Sequence, residues 1–137
     1  MFEKKLFIIV LVVLSVLALA ACGGAGTPAP ASLSVDMIEF AFEPSSYSVP
    51  AGAEVNLALS NSGALEHEWV LMNAGTQASA PFDENDEGNI YWEQELNAGE
   101  SGTFTFTAPE NPGEYQVVCG TAGHLEAGMV GTLIVEP

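Results

Sequence analysis

The sequence predicts an all-β fold, a Greek-key sandwich of about eight strands, and three observations predict it. From Ser32 onward apolar and polar residues alternate over short runs, which is the period of half-buried strands rather than of helices. Clusters of Gly, Pro and Asn punctuate those runs. The stretch that alternates is roughly 105 residues long, enough for one sandwich domain with a modest core and too short for two.

Taken in order, strands are expected at Leu33–Phe40, Ser46–Val49 and Glu54–Ser60, the last placing Val55, Leu57 and Leu59 on one face. Pro50-Ala51-Gly52 supplies the turn between the second and third. After Asn61-Ser62-Gly63 comes His67–Asn73, where Leu65, His67, Trp69 and Leu71 alternate as an inward face. Ile90–Leu96 and Ser101–Thr107 flank Asn97-Ala98-Gly99, and Phe104 shares a face with Phe106. Tyr91 and Trp92 read as core or sheet-edge packing. Pro109 through Gly113 turns the chain into Glu114–Cys119, with Tyr115 and Val117 inward, and Val130–Val135 is the last strand. The expected arrangement is two packed antiparallel sheets without a helix.

Between the strands, Ala74 to Asn89 has no strand pattern and carries Asp83-Glu84-Asn85-Asp86-Glu87-Gly88. That spacing resembles the start of a calcium-binding EF-hand loop, but the twelfth position is Gln94 where a carboxylate ligand is required. The segment is therefore expected to be a solvated acidic loop.

Residues 1–21 read as an export signal: Lys4 and Lys5 precede an apolar run from Leu6 to Ala21. The run ends in Leu19-Ala20-Ala21-Cys22, which resembles the lipobox of bacterial lipoproteins and makes Cys22 the expected lipidation site. A retained membrane-spanning anchor is the other reading, and the run is slightly short for it against the roughly 20 residues a bilayer needs. Residues 22–31, rich in Gly, Ala, Pro and Thr, are expected to be a flexible tether, leaving 32–137 as the folded domain. This places the domain outside the cytoplasm, tethered by lipid to the membrane and read as a monomer.

Both basic residues, Lys4 and Lys5, lie in the signal, whereas only Glu3 of the 18 Asp+Glu does, leaving 17 carboxylates and no Lys or Arg in the rest of the chain. Such a surface repels nucleic acid and anionic headgroups, so nucleic-acid binding is excluded on electrostatics. It serves either solubility or docking to a basic partner. With Cys22 assigned to lipid, Cys119 has no intrachain disulfide partner and needs another explanation.

That explanation lies in its neighbours. Cys119, His124 and Met129 fall within eleven residues, and the chain has one further histidine after the signal, His67. Singly, each has an ordinary structural role: a buried thiol, a loop or core histidine, a core methionine. Jointly, thiolate, two imidazoles and a thioether suit copper, and trigonal His₂Cys with a weak axial Met is an electron-transfer copper set. A Cys at a strand end, two ligands on the following loop and His67 on an adjacent strand would hold the metal rigidly and keep the reorganisation between Cu(I) and Cu(II) small.

From Tyr115 to Val135 the chain resembles the ligand loop of plastocyanin and azurin, and in spacing most nearly that of the auracyanins, with Cys, four residues of which the last is Gly, then His, four more and Met. Leu65 to Leu71 resembles the family's first-ligand strand, and Phe40-Ala41-Phe42-Glu43-Pro44 with Val49-Pro50-Ala51-Gly52 its N-terminal hairpin. This resemblance to the cupredoxins implies one copper ion, with His67, Cys119 and His124 as strong in-plane ligands and Met129 as the long axial one. Gly128 and Gly131 would let the loop turn. Ala122 stands where a Pro is often seen, and Glu68 where the family usually has the Asn that ties down the Cys loop.

The resemblance further implies a one-electron carrier rather than an enzyme, exchanging electrons through His124 with redox proteins such as a c-type cytochrome or a membrane electron-transfer complex. Ala122, Leu125 and Ala127 would form an apolar rim around that exit. A copper carrier or resistance protein on the same fold is the alternative, and a metal-free adhesion sandwich a third possibility. Phosphate-binding loops, nucleophile elbows and paired-acid sites are missing from the sequence, so nothing points to hydrolysis or group transfer.

Overall fold

In the computed structural model, residues 26–137 are described. The expected signal and the lipidation site Cys22 lie outside the described residues. Residues 26–30 have no regular structure, and the first strand starts at Ala31.

Nine strands run in the order β1 (Ala31–Ile38), β2 (Ala41–Glu43), β3 (Ser46–Pro50), β4 (Glu54–Asn61), β5 (His67–Met72), β6 (Ile90–Leu96), β7 (Ser101–Thr107), β8 (Gly113–Val118) and β9 (Val130–Glu136). One sheet has the order β2-β1-β4-β7 and the other β3-β9-β8-β5-β6. The fold is the expected all-β sandwich, with one more strand than the sequence indicated. Glu39 and Phe40 form a turn that splits the expected Leu33–Phe40 strand and pairs β2 back on β1, Met37 opposite Phe42.

The sheets are mixed rather than antiparallel. β1 runs parallel to β4 and β3 parallel to β9. Alternation fixes which face of a strand is buried, not which way its neighbour runs. The chain passes from one sheet to the other between β2 and β3, β3 and β4, β4 and β5, β6 and β7, and β7 and β8, so sheet neighbours are often not sequence neighbours.

The core fills the space between the sheets. Val35, Met37, Val55, Leu57, Leu59 and Phe106 face inward from one sheet, and Trp69, Leu71, Tyr115, Val117, Leu133 and Val135 from the other. Trp92 packs on this core, stacked on Phe106 at 5.0 Å, while Tyr91 stays at the edge and donates its hydroxyl to the Thr107 carbonyl. Leu65 departs from expectation: β5 starts at His67, and Leu65 lies in the preceding loop, exposed.

β5 is buried on both faces, which explains the unbroken run Trp69-Val70-Leu71-Met72. On its outer side Val70, Met72, Val118 and Leu125 form a second cluster, covered by Ala78, Phe82 and Ile90. The covering segment contains one helical turn, α1 (Glu84–Glu87), where no helix was expected. Its acids act locally, as a capping box in which Asp83 accepts from Asn85 N–H and the buried Asp86 accepts from the Asp83 and Ser79 amides.

Candidate metal centre

The structure brings His67, Cys119 and His124 together at one end of the sandwich, all three buried. His67 opens β5, and Cys119 directly follows β8, so the paired strands β5 and β8 set the spacing between these two side chains. The loop from Gly120 to Met129 then returns His124 to the same point. It is closed at its base, where Cys119 N–H donates to Met129 O at 3.1 Å and Met129 N–H to His124 O at 3.0 Å. Met129 is fully buried in the same core cluster as Cys119.

The glycines of this loop divide the work differently from the sequence reading. Gly123 and Gly128 take φ of 86° and 92°, the left-handed region where a side chain is strained, so they make the turns. Gly131 does not turn the chain. A Cβ there would stand 2.9 Å from the Ser45 carbonyl oxygen, so it permits close backbone approach.

Donor geometry is compact. His67 Nδ1 lies 3.1 Å from His124 Nδ1, and Cys119 Sγ is 3.4 Å from His124 Nδ1 and 3.9 Å from His67 Nδ1. A first-row ion with bonds of about 2.0 Å to nitrogen and about 2.3 Å to sulfur, spread in a plane, needs donor separations of roughly 3.5–3.7 Å. The observed triangle brackets those values, so small side-chain movements suffice. Burial foremost, then the neighbouring His124, lowers the His67 pKa, against the opposing pull of Glu39. This favours the neutral imidazole, the form that ligates a metal.

Backbone groups around the sulfur are also in place. Glu68 N–H donates to Cys119 Sγ at 3.4 Å, and Thr121 Oγ1 donates to Glu66 O at 3.2 Å. These two bonds link the Cys loop to the start of β5 although Glu68 occupies the position of the family's Asn. The Glu68 carboxylate itself packs over Gly120, where a Cβ would collide with it.

A plastocyanin/azurin family of copper binding proteins matches residues 29–136. The chain belongs to that family. As a cupredoxin it is 38% identical to auracyanin-B of Chloroflexus aurantiacus, over 71% of this chain and 48% of that protein. It is also 29% identical to the copper-resistant cuproprotein CopI of Rubrivivax gelatinosus, over 69% of this chain and 59% of that one. The chain thus spans about half the length of the curated relatives it matches. The crystal structure of reduced auracyanin from Roseiflexus castenholzii superposes with a TM-score of 0.67 at 29% identity, covering 83% of this chain and all of that one.

The cofactor of this cupredoxin is one copper ion, and the donors fit it: two imidazole nitrogens, the one cysteine sulfur among the described residues and a buried thioether, without a carboxylate in the cluster.

Sequence reasoning missed three residues near the site. Asn61, buried at the end of β4, donates to the carbonyls of Leu65 at 2.8 Å and Leu96 at 2.9 Å and accepts from Gly63 N–H at 3.0 Å, fixing the loop that leads into His67. Glu39 and Phe40, on the β1–β2 turn, approach His67 and His124 respectively. A signal for that turn existed: Val35 and Met37 face inward at odd positions and Phe42 at an even one, and such a change of parity requires a break. The expected rim is corrected as well. Leu125 is buried in the outer cluster, while Ala122 and Ala127 are exposed, and Phe40 and Leu65 are the large apolar side chains left exposed on the loops beside the site.

Proposed function

We propose that this domain carries single electrons on a mononuclear type 1 copper, which His67 Nδ1, Cys119 Sγ and His124 Nδ1 would hold together with the Met129 thioether as the weakest donor. The observation that carries this reading is the convergence of three buried donor atoms of the right chemistry, 3.1 to 3.9 Å apart. Copper supplies the one-electron couple. The chain's own contribution is rigidity: strand pairing holds His67 and Cys119, the two loop-base hydrogen bonds hold His124 and Met129, and burial excludes water. Such a carrier turns over no substrate and is not an enzyme.

Electrons would enter and leave through His124, which is 4% exposed, between Phe40 and the exposed Ala122 and Ala127. The natural partners are redox proteins such as a c-type cytochrome or a membrane complex. Glu66, Glu68, Glu93 and Glu95 lie along β5, β6 and the loop entering β5, next to the site, and their charge favours a partner with a basic face. The domain would act as a monomer outside the cytoplasm, held to the membrane through acyl chains on Cys22. Mass spectrometry of the native membrane fraction tests that anchor, with loss of residues 1–21 expected and their retention contradicting it.

The similarity to a copper-resistant cuproprotein favours a second reading, a copper carrier or resistance protein. Redox cycling of the copper-loaded protein beside a chelator separates the two. Electron carriage predicts reversible reduction with fast self-exchange and copper retained in both states; facile transfer of copper to the chelator supports the carrier.

A further inference from the structure

Of the two ring nitrogens of His67, Nδ1 faces Cys119 and His124, and Nε2 points away from them. Nε2 is buried in a fully buried ring and makes no hydrogen bond. A buried ring nitrogen in that position calls for an explanation. Facing it is Oε1 of Glu39, 3.9 Å away, on a side chain that is 38% exposed.

This carboxylate is not a passing surface group. Its Oε1 accepts the backbone N–H groups of Ala64 and, at 3.2 Å, Leu65. Those amides, Ala64 foremost, hold the Glu39 carboxyl below the usual carboxylate range. The same loop leaves the line between carboxylate and imidazole open, because residue 63 is glycine. A Cβ there would stand 2.6 Å from Glu39 Oε1 and 2.8 Å from His67 Nε2. At the turn itself, Phe40 takes φ of 63° directly after Glu39, a left-handed conformation that costs a phenylalanine energy.

We propose that Glu39 is a positioning residue for His67: its fixed carboxylate keeps the ring proton on Nε2, leaves the Nδ1 lone pair for the metal, and adds a negative charge behind the ligand. This rests on the copper reading above and extends it to a residue outside the ligand set. A metal-bound histidine whose other nitrogen donates to a carboxylate has its tautomer and ring orientation fixed and its basicity raised; at 3.9 Å Glu39 acts on Nε2 through its charge, short of a hydrogen bond. In the copper protein the extra negative charge stabilises Cu(II) over Cu(I), so Glu39 lowers the reduction potential.

The test uses two variants and two readouts, one of which needs no copper. Imidazole ¹⁵N NMR of the metal-free protein should show His67 as the Nε2–H tautomer in the wild type and in Glu39→Gln, which keeps an acceptor oxygen, and as a mixture in Glu39→Ala. In the copper-loaded protein Glu39→Gln should raise the potential, shifting the Cu(I)/Cu(II) ratio by up to about tenfold, or about 59 mV. A wild-type His67 protonated on Nδ1, or an unmoved potential in Glu39→Gln, overturns the proposal. So does a Glu39→Ala protein that loses thermal stability with tautomer and potential unchanged, since Glu39 would then be only a loop anchor. A wild type with the Nε2–H tautomer that takes up no copper would count against the copper reading while still supporting the hold of Glu39 on His67.

Discussion

The ring of Phe40 stands edge-on to the imidazole of His124, with 5.4 Å between centroids and 89° between planes. Phe40 comes from the β1–β2 turn and His124 from the loop after β8, so two segments far apart in sequence meet over the site. Phe40 is 45% exposed, and its ring covers part of His124, which is less buried than His67, Cys119 and Met129.

Phe40→Gly therefore separates backbone strain from shielding. Relief of the left-handed conformation, worth about 1 kcal/mol, should offset much of the lost ring burial, so the melting temperature moves little. Uncovering His124 should speed oxidation of the Cu(I) protein by a small inorganic oxidant several-fold. Stopped-flow rates unchanged by the substitution would show that Phe40 does not shield the exit.

Glu68 and Glu95 face each other across β5 and β6 as direct partners. Burial, then the neighbouring Glu93, Glu95 and Glu66, pushes the Glu68 carboxyl up to about 7 from 4.5. Because the folded value is raised, the neutral form is favoured in the folded state. Its contribution to stability is present below about pH 4.5 and is lost as pH rises through about 7. Glu68 is half-buried, so solvent screening reduces the effect to on the order of 1–2 kcal/mol. Denaturant titrations of wild type and Glu68→Gln at pH 5 and pH 8 should show the variant losing less stability over that interval.

At high pH the same logic falls on Tyr47. Burial foremost, partly opposed by the Trp69 side chain, holds its hydroxyl up to about 12 against an ordinary 10.0. The stability this represents is complete below pH 10 and is lost as pH rises from 10 through about 12, on the order of 2 kcal/mol. No lysine or arginine titrates in residues 26–137, but burial also raises the Tyr91 hydroxyl pKa, so the difference between wild type and Tyr47→Phe isolates the Tyr47 part. Tyr47→Phe should remove most of this alkaline loss, as followed by chemical denaturation.

The charge on the domain sets its association kinetics. Electron transfer to a basic c-type cytochrome should slow markedly as ionic strength rises, and transfer to an acidic one should be slow and speed up, because screening lengths fall to about 8 Å near physiological salt. Rates flat in salt with both partners would leave the carboxylates as a solubility feature.

The parts of this molecule legible in the sequence are those that chemistry or periodicity marks. His67, Cys119, His124 and Met129 stood out because three soft or borderline donors fall close together and the chain offers one further histidine for the fourth place. The faces of β4, β7 and β8 followed from alternation, and the structure buries Leu57, Phe106 and Val117 as expected. Parallel pairing of β1 with β4 was not legible, because alternation carries no information about neighbours. Gly131 was assigned to a turn because glycine marks left-handed backbone and close approach alike, and its role depends on Ser45, far away in sequence. Glu39 and Asn61 were invisible for the same reason: a polar residue at a strand end is ordinary until the fold puts a buried histidine or a loop carbonyl in front of it.

The central claim is that Cys119 is a copper thiolate beside His67 and His124, and visible absorption of the Cu(II)-loaded protein tests it most directly. The wild type should show an intense thiolate-to-copper charge-transfer band in the red. Met129→Leu should keep it at a raised potential because a thioether would be the weakest donor of the set, and Cys119→Ser should abolish it. A colourless wild type, or a Cys119→Ser protein as blue as the wild type, would contradict the account.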